Sequence, residues 1–143
     1  MSALGEAPDD VEEALVAYLS GLRRTAIGRR PARDPLPMNL VRNIPGGTER
    51  AEYGLSDQLV SVRTLCDKNL GEKAAMENSA DTHEWMLTLA REQVDIHIPG
   101  GRIVNFDYVN VVESPHWIDF ADDQVLCRLA RYSIGLSYVR TTS

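Results

Sequence analysis

The sequence predicts an α+β domain: two helices packed on a mainly antiparallel sheet of about five strands, in the order α-β-β-α-β-β-β. Three observations lead there. Two segments, near residues 9–22 and 71–93, carry apolar residues at helical spacing. Most other apolar residues alternate with polar ones at the two-residue period of a half-buried strand. The tetrapeptide Ile-Pro-Gly-Gly occurs twice, at Ile44–Gly47 and Ile98–Gly101, each time after a strand-like run. Helices laid on one face of such a sheet bury both apolar sets together.

A chain of 143 residues fits one domain, and 43% apolar with 25% charged residues is enough to bury a core. Residues 1–8 and 141–143 are expected to be flexible ends. No run of eighteen apolar residues exists to span a membrane. The start, MSALGEAPDD, lacks the basic and apolar parts of a secretory signal, so cytosolic synthesis is expected.

The first helix opens after Pro8. Asp9 or Asp10 caps free N–H groups, and Glu12 and Glu13 suit the positive end of the helix dipole. Val11, Leu15, Tyr18, Leu19 and Leu22 form its apolar stripe. Residues 23–37 then hold Arg23, Arg24, Arg29, Arg30 and Arg33 among glycine and prolines, and read as an arginine-rich loop. It is either a solvated loop or an electrostatic arm for an acidic partner or a nucleic-acid backbone.

In Met38–Ile44, Met38, Leu40 and Arg42 alternate with Asn39, Val41 and Asn43, which predicts a strand. The first Pro-Gly-Gly opens a polar loop, GGTERAEYGLSD. A strand over Gln58–Cys66 places Val60, Val62, Thr64 and Cys66 on one face. The second helix carries Ala75, Ser79, Met86, Leu89 and Ala90, a small-residue face suited to lying close on a sheet. Val94–Ile98 and Arg102–Glu113 flank the second Pro-Gly-Gly as strands, with Val104, Phe106, Tyr108 and Val112 facing one way. SPHWIDFADDQ reads as a loop pinned by aromatics, with Asp122 or Asp123 solvated. Asp122–Ala130 fits helix or strand. From Ala130 strict alternation through Tyr132, Ile134, Leu136 and Tyr138 predicts a long strand, and Gly135 within it implies a bulge or a close backbone approach.

Tests for chemistry return little. A phosphate cradle needs its glycines between a strand and a helix, whereas each Pro-Gly-Gly here leads towards another strand and carries a turn signature. His83-Glu84 begins like a zinc motif, but Leu87 occupies the second histidine position, so His83 is expected to be a helix-surface residue. His116, Asp119 and Asp122 lie close in sequence and are candidate ligands for a divalent ion, though at no calcium-loop spacing. No nucleophile motif surrounds any serine or either cysteine. Cys66 and Cys127 are expected to be buried reduced thiols, cross-linked only if their strands are neighbours. The net charge of −6 argues against a typical nucleic-acid binder.

Three blocks in order, LVRNIPGG (Leu40–Gly47), ESPHWIDFADDQV (Glu113–Val125) and RYSIGL (Arg131–Leu136), resemble the tail terminator proteins of long-tailed bacteriophages, especially those of actinobacterial hosts. The resemblance runs from about Val11 to Tyr138. It implies a small α+β structural subunit of the virion that closes into a ring, usually of six copies, at the head-proximal end of the tail. The ring caps the tail tube, stops its polymerisation and meets the head-neck connector protein. DNA passes through without specific binding, and no enzyme activity, cofactor, metal or membrane is implied. Candidate assembly contacts are Arg42, Asn43, Pro45, Gly46, Gly47, Glu49, Arg50, Trp117, Asp119 and Asp122. The competing readings are a head-completion or neck adaptor, a small metal-dependent enzyme using His116, Asp119 and Asp122, and a nucleic-acid module using the arginine loop.

Overall fold

Two helices pack on one face of a six-stranded mixed sheet in a computed structural model that describes residues 10–32, 34–44, 49–50 and 55–139. The elements are α1 (Asp10–Leu19), β1 (Thr25–Ile27), β2 (Met38–Ile44), β3 (Glu49–Arg50), β4 (Leu55–Asp67), α2 (Gly71–Arg91), β5 (Asp95–Ile98), β6 (Arg102–Ile118) and β7 (Val125–Tyr138). The strand order is β1-β2-β4-β7-β6-β5, with β3 paired only to β4. All pairs are antiparallel except β1 with β2. The expected flexible ends, residues 1–8 and 141–143, lie outside the described residues.

The helices form where their periodicity places them. In α1, Val11, Ala14, Leu15 and Leu19 are buried, and Asp10, Glu12 and Glu13 occupy the positive first turn. Leu22 falls beyond the helix. A 3-10 turn, Lys68–Leu70, leads into α2, and Asp67 Oδ1 accepts from Asn69 N at 2.9 Å to start it. Buried Ala75, Ser79, Thr82, Met86 and Leu89 recur every three or four residues, one stripe against the sheet. The two helices meet where Tyr18 Oη donates to the Trp85 carbonyl at 2.7 Å, their rings 5.2 Å apart.

The sheet carries apolar clusters on both faces. Under the helices lie Val41, Val60, Val62, Val104, Phe106, Ala130, Tyr132 and Ile134. The opposite face holds a smaller cluster of Met38, Leu40, Leu65, Val125 and Cys127, packed by Leu36, Ile118 and Phe120. Strand β7 serves both: Val125 and Cys127 belong to one face, Ala130, Tyr132 and Ile134 to the other.

Three expectations are corrected and one open alternative is resolved. The segment 23–37 contains β1, whose backbone runs parallel to β2 with Ala26 opposite Leu40; three residues between arginines are too few to show a period. Strand β4 starts at Leu55 rather than Gln58, and the polar loop before it includes β3, paired as Glu49 to Ser56 and Arg50 to Leu55. Strand β6 runs on through Pro115 to Ile118, with register shifts between Phe106 and Tyr108, Val111 and Glu113, and Glu113 and His116. The first shift ends the expected alternation: Val104 and Phe106 are buried under the helices, but Tyr108 lies against Gly135 on the other face. A bulge inserts one residue and reverses every later side chain. Finally, the ambiguous 122–130 segment is strand from Val125, because its pairing partner β4 extends to Asp67.

Candidate assembly surfaces

The candidate contacts divide between the two ends of the sheet. One end carries the end of β2, the start of β4, the β5–β6 turn and the end of β7. There Ile98 pairs with Arg102 around Pro99-Gly100-Gly101, and Gly100 (φ 92°) and Gly101 (φ 76°) both use the left-handed region. Proline followed by a positive-φ glycine fits the turn signature read from this copy of the motif. The first copy, Pro45, Gly46 and Gly47, lies outside the described residues. Glu49 and Arg50 form β3.

Arg42 is exposed and its guanidinium lies against Gly28, where a Cβ would sit 2.8 Å from Nη2. Asn43 is committed inward: its N–H donates to Glu12 Oε2 at 2.9 Å and its Nδ2 to Gln58 Oε1 at 2.7 Å. It ties α1 to β2 and β4. Near the same end, Asp10 Oδ2 accepts from Arg102 Nη1 at 2.6 Å and from the Tyr138 hydroxyl. The bond to the Asp10 carboxylate, ahead of burial, raises the Tyr138 pKa above its ordinary value.

The opposite end is the β6–β7 tip. Trp117 is 40% exposed, with the Arg128 guanidinium 4.7 Å from its ring centre. Arg128 is held in turn by Ser79 Oγ (3.0 Å) and the Pro115 carbonyl (3.0 Å). Asp119, Asp122 and Asp123, in the segment that joins β6 to β7, are exposed. Asp122 Oδ1 accepts from Gln124 N at 2.9 Å, which closes the turn. No ion pair links these three carboxylates to a cation among the described residues. His116 is turned elsewhere, with Nδ1 2.8 Å from the Ser114 carbonyl and Nε2 3.4 Å from Glu113. No three His, Cys, Asp or Glu side chains among the described residues gather as metal ligands.

The arginine segment is pinned more than its composition implies. Arg23 donates to Asn78 Oδ1 at 2.7 Å, Arg24 pairs with Asp34 at 2.8 Å, and Arg30 donates to the Asp34 carbonyl through Nε at 3.0 Å and Nη2 at 2.5 Å. Arg29 is exposed, and Arg33 lies outside the described residues.

Sequence reading missed a second group of arginines. Side chains on β2, β4 and β7 alternate, so the face away from the helices bears Leu40 and Arg42, Arg63 and Leu65, and Leu129 and Arg131. Register sets Arg42 opposite Ser61 and Ser61 opposite Arg131, while Arg63 sits between Leu40 and Leu129. Arg131 pairs with Glu113 at 2.5 Å. The only sequence signal for this row is an arginine at an apolar-facing position of each strand.

Buried polar groups are structural. Asn39 Oδ1 accepts from Thr64 (3.0 Å) and Thr82 (3.2 Å), joining α2 to the sheet. His83, expected on the helix surface, is half-buried with Nδ1 2.6 Å from the Tyr132 hydroxyl, and burial lowers its pKa. Both cysteines are free and buried; burial raises Cys66 and pushes Cys127 up to about 11. Their strands are neighbours, but Leu65 is opposite Cys127 and Cys66 opposite Leu126, so the thiols point to opposite faces.

No helix is long and apolar enough to cross a membrane among the described residues. No protein-family model matches the chain, and no curated protein matches it.

Proposed function

We propose that the chain is a structural ring subunit of a long-tailed phage, acting as a tail terminator. Copies close into a ring on the finished tail tube, block further tube subunits, and offer their other side to the neck connector. Six copies, a passage for DNA and a place at the head-proximal end of the tail are parts of the same reading. It rests on the three sequence blocks and on one structural observation. The exposed candidates sit at opposite ends of a single sheet: Arg42 near the end of β2, and Trp117, Asp119 and Asp122 at the β6–β7 tip. A joint between two different assemblies needs two chemically distinct working ends, and the difference between these two ends supports that reading. Termination follows from a fit at one end and a mismatch for incoming tube subunits at the other.

The test is negative-stain microscopy and mass measurement of the purified chain, alone and with tail tubes, together with tail lengths after gene deletion. Rings seated on tube ends and overlong tails are expected. Normal-length tails that fail to join filled heads would move the chain to the neck. A monomer that ignores tubes would overturn the reading.

A further inference from the structure

The arginine row on the helix-free face has more positive charge than the described residues neutralise. Arg131 is paired with Glu113, but Arg42 and Arg63 have no ion-pair partner among the described residues. The Nε atoms of Arg63 and Arg131 are shielded from solvent and have no hydrogen-bond partner. With Nε shielded, each part-exposed side chain has only its terminal guanidinium nitrogens to offer, and a weakly hydrated, fork-shaped guanidinium suits an incoming carboxylate. Strands about 4.8 Å apart set Arg42 and Arg131, with one strand between them, roughly 10 Å apart, and Arg63 is set on the intervening strand.

The same molecule carries a complementary surface. Asp119, Asp122 and Asp123 are exposed at the β6–β7 tip and have no ion-pair partner among the described residues, and Trp117, at the end of β6, is partly exposed. We infer that the acidic β6–β7 tip of one copy docks on the Arg42–Arg63–Arg131 face of the next, with Trp117 as its apolar anchor. This rests on the ring reading and gives its subunit contact. Tip and face are different surfaces, so the contact is head-to-tail, the type that closes into rings. Two unpaired cations are few for tracking a phosphodiester backbone, where affinity grows with each phosphate neutralised. They suit a short acidic tip of a second copy, and charge pairs of this kind also fix register.

Charge reversal tests this in the full-length chain. One variant carries Arg42→Glu and Arg63→Glu; a second carries Asp119→Lys, Asp122→Lys and Asp123→Lys. Each is checked for folding by circular dichroism and melting, and the neutral pair Arg63→Gln and Asp122→Asn serves if a reversed variant fails to fold. Native mass spectrometry with microscopy then measures ring formation, with and without tail tubes. Each reversed variant alone is expected to lose rings, with subunit affinity falling at least tenfold. An equimolar mixture is expected to restore them, because acidic-face and basic-tip copies alternate. Folded reversed variants that form rings like the native chain overturn the contact and leave the ring reading standing. A native chain that forms no ring under either condition overturns both. Salt-sensitive binding to duplex DNA that is lost in the arginine variant alone, with rings intact, assigns the face to nucleic acid and overturns the proposal.

Discussion

Gly135 is the position where one methyl group should be felt most clearly. It lies in the middle of β7, and the ring of Tyr108 covers it from the neighbouring strand. A Cβ added there would meet Tyr108 Cε2 at 2.2 Å and both Cδ2 and Cζ at 2.8 Å. Carbon atoms rest about 3.5–4.0 Å apart, so the ring must move by roughly 1.5 Å. Overpacking of this sort costs about 1–3 kcal/mol. Alanine returns about 0.5–1 kcal/mol, because glycine is entropically costly inside a strand. Gly135→Ala should therefore destabilise by about 1–2 kcal/mol, or lower Tm by roughly 3–7 °C in a domain of this size. Urea unfolding of a double-mutant cycle isolates the cause. On a Tyr108→Ala background the obstacle is gone, and Gly135→Ala should be neutral or stabilising by about 0.5 kcal/mol. Equal destabilisation on both backgrounds would refute the argument, since the ring would then not be what the methyl group meets.

Three further outcomes follow from the geometry. Burial lowers the His83 pKa from its ordinary 6.5, so the unfolded chain binds this proton first as pH falls. The stabilisation is fully present above that value and is lost as pH drops through it towards the lower folded-state pKa; in a His83→Gln variant, urea titrations from pH 8 to 5 should lack this component of the slope. Asn39→Ala removes the acceptor shared by Thr64 and Thr82 and should cost about 1–3 kcal/mol by equilibrium unfolding. Gly100→Val forces a branched residue to a φ of 92° and should cost about 1–3 kcal/mol, with faster amide exchange in β5 and the start of β6.

Much of the fold was legible because local signals agreed. The second helix, β2 and the Pro-Gly-Gly turn after β5 each show a clear period bounded by turn residues. The close approach expected at Gly135 is there, with Tyr108 as its cause. What stayed hidden depends on partners. Strand β1 exists because β2 offers it a backbone edge, and Thr-Ala-Ile between arginines carries no period. The bulges in β6 reset its facing without leaving a mark on composition. Of the candidate contacts, the exposed Arg42, Trp117, Asp119 and Asp122 were readable as surface residues, whereas Asn43 spends its polar groups inside the chain. Arg63 and Arg131 could not be joined to Arg42 in advance, since only sheet register brings the three strands side by side.

The placement of the two thiols also makes oxidation a record of folding error. In the native register Cys66 and Cys127 are offset by one residue and separated by the sheet itself. A slip of a single residue between β4 and β7 would set them directly opposite one another on one face. Opposed residues of antiparallel strands have Cα atoms about 4.5–5.5 Å apart, within the span of a disulfide. The same slip would turn the residues of β7 out of both apolar clusters. A covalent bridge between these cysteines would thus be a clamp on a misaligned sheet, and a thiol-reducing environment would let the chain escape and pair again.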